Sequence, residues 1–323
     1  MWVWPDPDPA TPADPAAIPI CPELDDPSFQ SSDISRDLPL EYVVVMENLV
    51  DPSHLPYAHH GFLGNREKSA PLYSTLNQSS PQGFDGTWSQ SGDEPGRSRI
   101  EFQAPTRTQL MFRSATSSNS VFILLFYVTP VGHGRSRLLA RFVGNSIPHY
   151  VRQVVPRWLE HIGSNQVLDQ DMVLMYEQQR TLSNQSDWKK LMHLPAPADR
   201  FVVEFRKWYD MASDTMPRKE GSTLSSTPLT RSQLLDRYSQ HTAHCASCKA
   251  AYESLKGAYG ALNALSLMGV AAAAVTGRMD RNGRPRWPIW PPLVGLLALR
   301  GFVFGLEKLE DQFTYAPNDS HKK

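Results

Sequence analysis

Glu47-Asn48-Leu49-Val50-Asp51-Pro52-Ser53-His54-Leu55-Pro56-Tyr57-Ala58-His59-His60-Gly61 concentrates the chemistry of this chain in one short segment. Asp51 followed by Pro52 predicts a helix start: an oxygen that caps free backbone N–H groups, then a ring whose φ suits the first helical position. Capping alone accounts for an acid there. His54 and His59 are five residues apart, and at 3.6 residues per turn an ideal helix would point them about 140° away from each other. Pro56 lies between them and disturbs the turn, so both imidazoles can be brought toward one point. A lone histidine in such a setting is more often a packed core residue than a ligand. Two histidines and an acid around a bent helix set metal binding beside core packing, and spacing alone goes no further.

Upstream, residues 42–46 are a β-branched run that predicts a buried strand. Residues 1–38 are a Pro/Asp-rich linker, and residues 1–26 are acidic and lack the apolar stretch of a signal peptide or the Arg/Ser bias of a transit peptide. Downstream, short apolar stretches alternate with Gly, Ser and Pro, and 83–91, 97–104, 121–129 and 137–143 predict antiparallel strands. Residues 148–180 read as helical with a breaker near Gly163–Ser164, and 199–212 as a second helix with aromatics on its apolar face. A linker at 213–230, a helix at 231–256 carrying a C-x-x-C pair, an apolar hairpin at 257–306 and a polar tail at 307–323 complete the division. The expected architecture is α+β, one curved antiparallel sheet wrapped around helices over residues 39–212. The 323 residues carry a net charge of −1, so no global field favours nucleic acid, and three cysteines, Cys21, Cys245 and Cys248, are too few for a disulfide scaffold.

The segment from Asn48 to His59 resembles the mononuclear-iron motif of the Rieske-type oxygenases, N-x-x-D-x-x-H-x-x-x-x-H. In the form ENLVDPSHLPYAHHG it is most similar to the chloroplast branch, which holds pheophorbide a oxygenase, chlorophyllide a oxygenase and the Rieske protein of the inner-envelope translocon. The likeness extends from the WVWPD opening to the C-terminal cysteine pair. It implies a facial triad of two histidines and one carboxylate on non-haem Fe(II), with three positions left for O₂ and substrate. On that resemblance His54 and His59 are ligands, and Asp51 matches the acid that bridges to a 2Fe-2S Rieske cluster on a neighbouring subunit. Asn48 is a weaker participant. His60 has no counterpart and reads as structural or pocket-lining.

The third ligand must come from elsewhere, and the predicted helix around 165–179 offers Asp169 and Asp171. Residues three and four apart share a helix face. Asp171 has Val167, Leu168, Leu174 and Met175 as such neighbours, whereas Asp169 has Asn165, Gln166, Met172 and Val173. An acid in an apolar stripe is costly unless paired or metal-bound, so Asp171 is the expected ligand. The family pattern, an Asp eight residues before a Gln, agrees. Asp169 reads as a solvated acid at a helix edge.

A Rieske cluster needs C-x-H and C-x-x-H pairs, because two cysteines and two histidines hold its two irons. This sequence has none. The resemblance therefore implies a cluster supplied by a missing N-terminal domain or by a partner, and a chain that binds iron without turning over alone. At the other end, His241, His244, Cys245 and Cys248 invite a zinc reading but are crowded into one short run. Cys245 and Cys248 are instead expected to form a redox-active dithiol, and the resemblance implies control by thioredoxin. Residues 257–277 carry no charge and reach the about 20 residues that a bilayer requires, and 287–306 is a second candidate span with Arg300 inside. Arg278, Arg281, Arg284 and Arg286 in the connection disagree with a stromal domain under the positive-inside rule.

The resemblance implies a helix-grip (START-like) fold, a head-to-tail homotrimer, a ferredoxin-type electron donor and a chloroplast membrane location with the catalytic domain stromal. The chemistry it implies is O₂-dependent oxygenation of a chlorophyll-derived tetrapyrrole, with Phe122, Phe126 and Trp158 as candidates to line the pocket. The rival is a non-catalytic, redox-responsive membrane component that retains an iron site. A zinc hydrolase would need an H-E-x-x-H helix, which is absent.

Overall fold

Successive side chains of a strand face opposite sides of its sheet, and β1 (Gln30–Leu38) shows the pattern plainly. Ser32, Ile34, Arg36 and Leu38 are buried, while the residues between them are half-buried or exposed. The structure, a computed structural model, describes residues 18, 20–114, 119–146, 154–183, 188–212, 227–276, 282 and 290–315. Two compact units emerge, Met1–Pro156 with Gln170–Thr227, and Arg157–Asp169 with Pro228–Lys323.

The first unit is built on a seven-stranded sheet in the order β1-β7-β6-β5-β4-β3-β2. Strands β2 (Leu72–Ser80), β3 (Gly83–Gln90), β4 (Ser98–Gln103), β5 (Arg107–Arg113), β6 (Val121–Gly132) and β7 (Arg135–Gly144) form an antiparallel meander, and β1 closes against β7. Between β1 and β2 the chain crosses from one sheet edge to the other. That crossing holds α1 (Tyr42–Leu49), a 3₁₀ turn (Pro52–His54) and α2 (Leu55–Ala58). Helix α3 (Arg157–Ser183) gives its later residues to this unit, and α4 (Arg200–Ala212) lies on the sheet.

Aromatic packing fixes α4. Phe201 stacks on Phe84 with centroids 6.1 Å apart, and Phe102 meets Phe205 at 5.4 Å and Trp208 at 4.9 Å. Gly86 is required beneath it, because a Cβ there would stand 2.4 Å from the Phe201 ring and 2.5 Å from the Thr75 carbonyl. Arg206 of α4 donates to buried Glu47 of α1, which also accepts from Gln178 Nε2 at 3.0 Å. The Glu41 N–H donates to Gln179 Oε1 at 2.6 Å, so α3 is tied to the start of α1.

Several expectations are corrected. Residues 42–46 are helical: Tyr42, Val44, Val45, Met46 and Leu49 are buried along α1, and that packing overrides the strand preference of the valine run. Residues 30–38, expected in the linker, form β1, hidden by its polar composition. Strands β2 and β5 are additional to those expected. Helix α3 runs unbroken through Gly163 and Ser164, whose hydroxyl bonds back to the Glu160 carbonyl at 3.1 Å. The expected helix at 231–256 is interrupted, giving α5 (Arg231–Leu234), α6 (Arg237–Gln240), a 3₁₀ turn (Thr242–His244) and only then α7 (Ala246–Thr276).

These elements, with α8 (Trp290–Thr314) and residues 157–169, make the second unit. Buried Asp169 pairs with buried Arg237 at 2.7 Å, which overturns the reading of Asp169 as a solvated acid; its counter-ion lies far off in sequence. Helices α7 and α8 pack on each other, with Arg300 donating to Asn263 at 3.2 Å. Among the described residues no helix is long and apolar enough to cross a membrane. Glycines, Asn263 and Ser266 dilute the first expected span, and Arg300 interrupts the second. Arg278, Arg281, Arg284 and Arg286 lie outside the described residues, as do 148–153, 287–289 and most of the 213–230 linker.

Candidate functional site

The crossing segment turns sharply, and each part of the turn has a local cause. The Asp51 carboxylate caps the 3₁₀ turn by accepting from the Ser53 N–H at 2.8 Å and from the Ser53 hydroxyl. Pro52 begins the 3₁₀ turn and Pro56 is the second residue of α2, first-turn positions where a missing N–H does no harm. The His59 carbonyl then accepts from the N–H groups of Phe62, Leu63 and Gly64 at 3.0, 3.1 and 3.2 Å. Gly64 lies so close to α2 that a Cβ would stand 2.5 Å from Pro56 Cα. With its backbone pinned in this way, the segment presents both imidazoles together, their ring centroids 5.2 Å apart.

Asp171 of α3 faces them in the same unit. Its Oδ2 lies 3.2 Å from His59 Nε2 and 3.9 Å from His54 Nε2, and donor atoms of all three lie within 4.8 Å of one another. Asp171 is only 5% exposed, and its other oxygen, Oδ1, is buried without a hydrogen-bond partner. Leaving a buried carboxylate oxygen unpaired is costly. The second nitrogen of each ring is already engaged. His59 Nδ1 bonds to Gln170 Oε1 at 2.9 Å, and His54 Nδ1 to the Asp51 carbonyl. Both acceptors require an N–H at Nδ1, so Nε2 is the nitrogen that each neutral ring would offer to a cation beside Asp171. Burial alone would lower the His59 pKa, but the Asp171 carboxylate and Gln170 outweigh it and hold it above the ordinary value.

Other predicted residues fall elsewhere. Asn48 lies half-buried in the last turn of α1, and it is its carbonyl that the structure uses, accepting the Asp51 N–H at 3.2 Å. The carboxylate of Asp51 caps the turn, and only its carbonyl touches a histidine. His60 is exposed and accepts the Arg66 N–H at Nδ1, 3.1 Å away, which is a structural role. Phe126 is buried and Phe122 partly exposed in the first unit, and Trp158 packs on Phe313 at 5.8 Å in the second unit's core. A cavity of about 320 Å³ lined by Arg99, Glu101, Arg107 and Gln109 includes none of the triad. Cys245 and Cys248 are free thiols; hydrogen bonding with Cys248 and two imidazoles holds Cys245 far below the usual thiol range, and the same contact with Cys245, then burial, pushes Cys248 up. Sequence reasoning missed Gln170 and His161. The one sequence signal for Gln170 is that it adjoins Asp171, and its burial beside that acid appears only in the structure; nothing in the spacing marks His161.

A family model described as pheophorbide a oxygenase matches residues 102–188. The chain spans about half the length of the curated relatives it matches. It is 34% identical over 271 residues to pheophorbide a oxygenase, chloroplastic, of Arabidopsis thaliana, covering 75% of this chain and 49% of the relative. Over 267 residues it is 34% identical to flavonoid 8-hydroxylase 2, chloroplastic, of Ocimum basilicum, covering 75% and 50%. Over 293 residues it is 30% identical to protochlorophyllide-dependent translocon component 52, chloroplastic, of Arabidopsis thaliana, covering 75% and 51%. Among solved structures, NdmA of Pseudomonas putida CBB5 superposes with a TM-score of 0.44 at 17% identity, covering 61% of this chain and 54% of that one, a likeness too distant to argue from.

Proposed function

We propose that this chain, whose residues 102–188 match the family model described as pheophorbide a oxygenase, carries the mononuclear-iron part of a Rieske-type oxygenase acting on a chlorophyll-derived tetrapyrrole. The observation that carries the reading is the convergence of His54 Nε2, His59 Nε2 and the Asp171 carboxylate, with Asp171 Oδ1 buried and unbonded. Two neutral imidazole nitrogens and one carboxylate are the donor set of a facial-triad non-haem Fe(II) centre, so the residues fit the ion. When bound, iron supplies O₂ activation, with electrons from a 2Fe-2S cluster held outside this chain's own donor set.

The protein's part is to hold the three donors. Gln170 fixes the tautomer and plane of His59, the Asp51 carbonyl does the same for His54, and burial keeps Asp171 from spending its charge on water. The relatives are named chloroplastic, which supports a chloroplast location; a ferredoxin-type donor, the helix-grip fold of the catalytic subunits and a homotrimer in which a neighbour's cluster faces this iron follow from the resemblance of the Asn48–His59 segment. Membrane association belongs to the same proposal, supported by the exposed apolar side chains Leu267, Met268, Leu297, Phe302 and Phe304 of α7 and α8, and a stromal catalytic domain follows from the resemblance alone. A second reading, a non-catalytic translocon component, is favoured by the 30% identity to the protochlorophyllide-dependent translocon component.

Anaerobic Fe(II) titration of the full chain tests the centre. About one iron should bind at the triad, surviving Cys245→Ser and vanishing in Asp171→Ala; undiminished iron in Asp171→Ala would place the ligand elsewhere. Iron-loaded chain should also bind a chlorin with a free carboxylate, read by fluorescence quenching. Binding of a flavone and not of the chlorin would overturn the substrate class.

A further inference from the structure

Four donor side chains from separate parts of the sequence meet inside the second unit. His161 comes from α3, His241 follows α6, Cys245 precedes α7, and Cys248 lies in its first turn. His161 Nδ1 is 3.3 Å from Cys248 Sγ and 3.5 Å from Cys245 Sγ. His241 Nε2 is 3.1 Å from His161 Nδ1 and 3.3 Å from Cys248 Sγ. Donor atoms of all four lie within 4.8 Å of one another.

Hydrogen bonding alone does not account for this convergence. A ring nitrogen offers one proton or one lone pair, yet His161 Nδ1 faces two sulfurs and a second imidazole nitrogen. A cation among the four accounts for it directly. Zn–S bonds of about 2.3 Å and Zn–N bonds of about 2.0–2.1 Å place tetrahedral donor atoms about 3.3–3.8 Å apart, close to the separations here. A Rieske cluster does not fit, since its cysteines hold one iron and its histidines the other, whereas His161 Nδ1 lies within 3.5 Å of both sulfurs.

We propose that His161, His241, Cys245 and Cys248 bind a structural zinc ion. On binding, each thiol gives its proton to solvent and both imidazoles coordinate neutral, so two thiolates balance Zn²⁺ and the buried site carries no net charge. His161, His241 and Cys248 are buried, and Ile162, Phe313, Trp158 and Leu309 pack around them. Four protein donors in an apolar shell make a closed site with no position left for a substrate. The ion joins α3 to the start of α7. The zinc reading of the sequence chose the wrong fourth ligand: His244 is exposed and outside the cluster, and His161 takes its place.

The test uses the full chain, reduced, freed of metal and carrying Asp171→Ala so that the triad is silent. Co(II) should give thiolate-to-metal absorption and intense tetrahedral bands, and a single equivalent of Zn(II) should displace it. His161→Ala and Cys248→Ser should each abolish these bands, and His244→Ala should keep them. Because the first two can unfold the unit, thiol reactivity of the unmutated chain is the second readout. Zinc should slow modification of Cys245 and Cys248 at least 10-fold, with the original rate restored by a chelator. Cobalt bound without thiolate absorption, or equal thiol reactivity with and without zinc, would overturn the proposal, as would a Cys245–Cys248 disulfide that forms as readily with zinc present.

Discussion

The triad of the first unit and the four-donor cluster of the second draw on similar side chains and differ in what they leave open. His54, His59 and Asp171 provide three donors, so a metal held by them keeps positions for other molecules. His161, His241, Cys245 and Cys248 provide four, two of them thiols, and four donors fill a tetrahedron. Surroundings follow donor count. His54 keeps 17% of its side chain exposed beside the triad, whereas the cluster is wrapped by apolar side chains and only Cys245 is half-buried. Donor number and softness thus separate a centre suited to turnover from one suited to holding a fold together, within a single polypeptide.

Stripping the metals one at a time is the hardest trial of that contrast. Zinc binding to small folds is largely folding free energy, apparent values being about 10–16 kcal/mol in zinc-finger peptides. Its removal should raise amide hydrogen exchange in the Thr242–His244 turn and the first turns of α7 by about 100-fold or more. Removing iron should leave exchange in α1 and the sheet nearly unchanged, because Glu47–Arg206 and the aromatic packing of α4 hold that region without it. Equal loosening in both places would erase the distinction.

The same two regions show what was legible in the sequence. The histidines could be named beforehand through the resemblance to the mononuclear-iron motif, since their Pro-bent spacing alone left metal binding beside core packing, and Asp171 could be named because it stands in an apolar stripe. The antiparallel strands with clear alternation were also readable, and β1 was not, because Ser, Asp and Arg dominate it and its partner β7 supplies the pairing. Helix α1 was misread because three consecutive valines argue for a strand until tertiary burial is known. Asp169 and His161 failed for one reason. Each is explained by a partner far along the chain, Arg237 and the Cys245–Cys248 segment, and local periodicity says nothing about such meetings.

A finer trial concerns the supports of the triad. Gln170 is the acceptor that sets the His59 tautomer. Partners of this kind contribute about 10–100-fold to metal affinity, so Gln170→Leu should weaken iron binding by that factor with the circular dichroism spectrum unchanged. Gln170 is not a member of the four-donor cluster, which should keep its cobalt spectrum in this variant. Unchanged iron affinity would mean that packing alone holds the His59 ring.

The smallest expected effect divides two roles of Asp51. Its carboxylate caps the Pro52–His54 turn, while its carbonyl accepts from His54 Nδ1, so the side chain shapes the turn and the main chain orients the ligand. Asparagine caps about as well as aspartate, so Asp51→Asn should keep stability within about 0.5 kcal/mol and leave iron affinity within about two-fold. Asp51→Ala loses the cap and should cost about 1 kcal/mol, with a modest loss of iron as the turn carrying His54 frays. Capping needs only an acceptor oxygen, whereas carrying electrons from a neighbouring cluster would depend on the acid itself. Normal iron binding in Asp51→Asn combined with failed turnover on reconstitution with a cluster donor would therefore assign the charge to electron delivery. A loss of iron in Asp51→Asn would show instead that the negative charge helps to hold the metal.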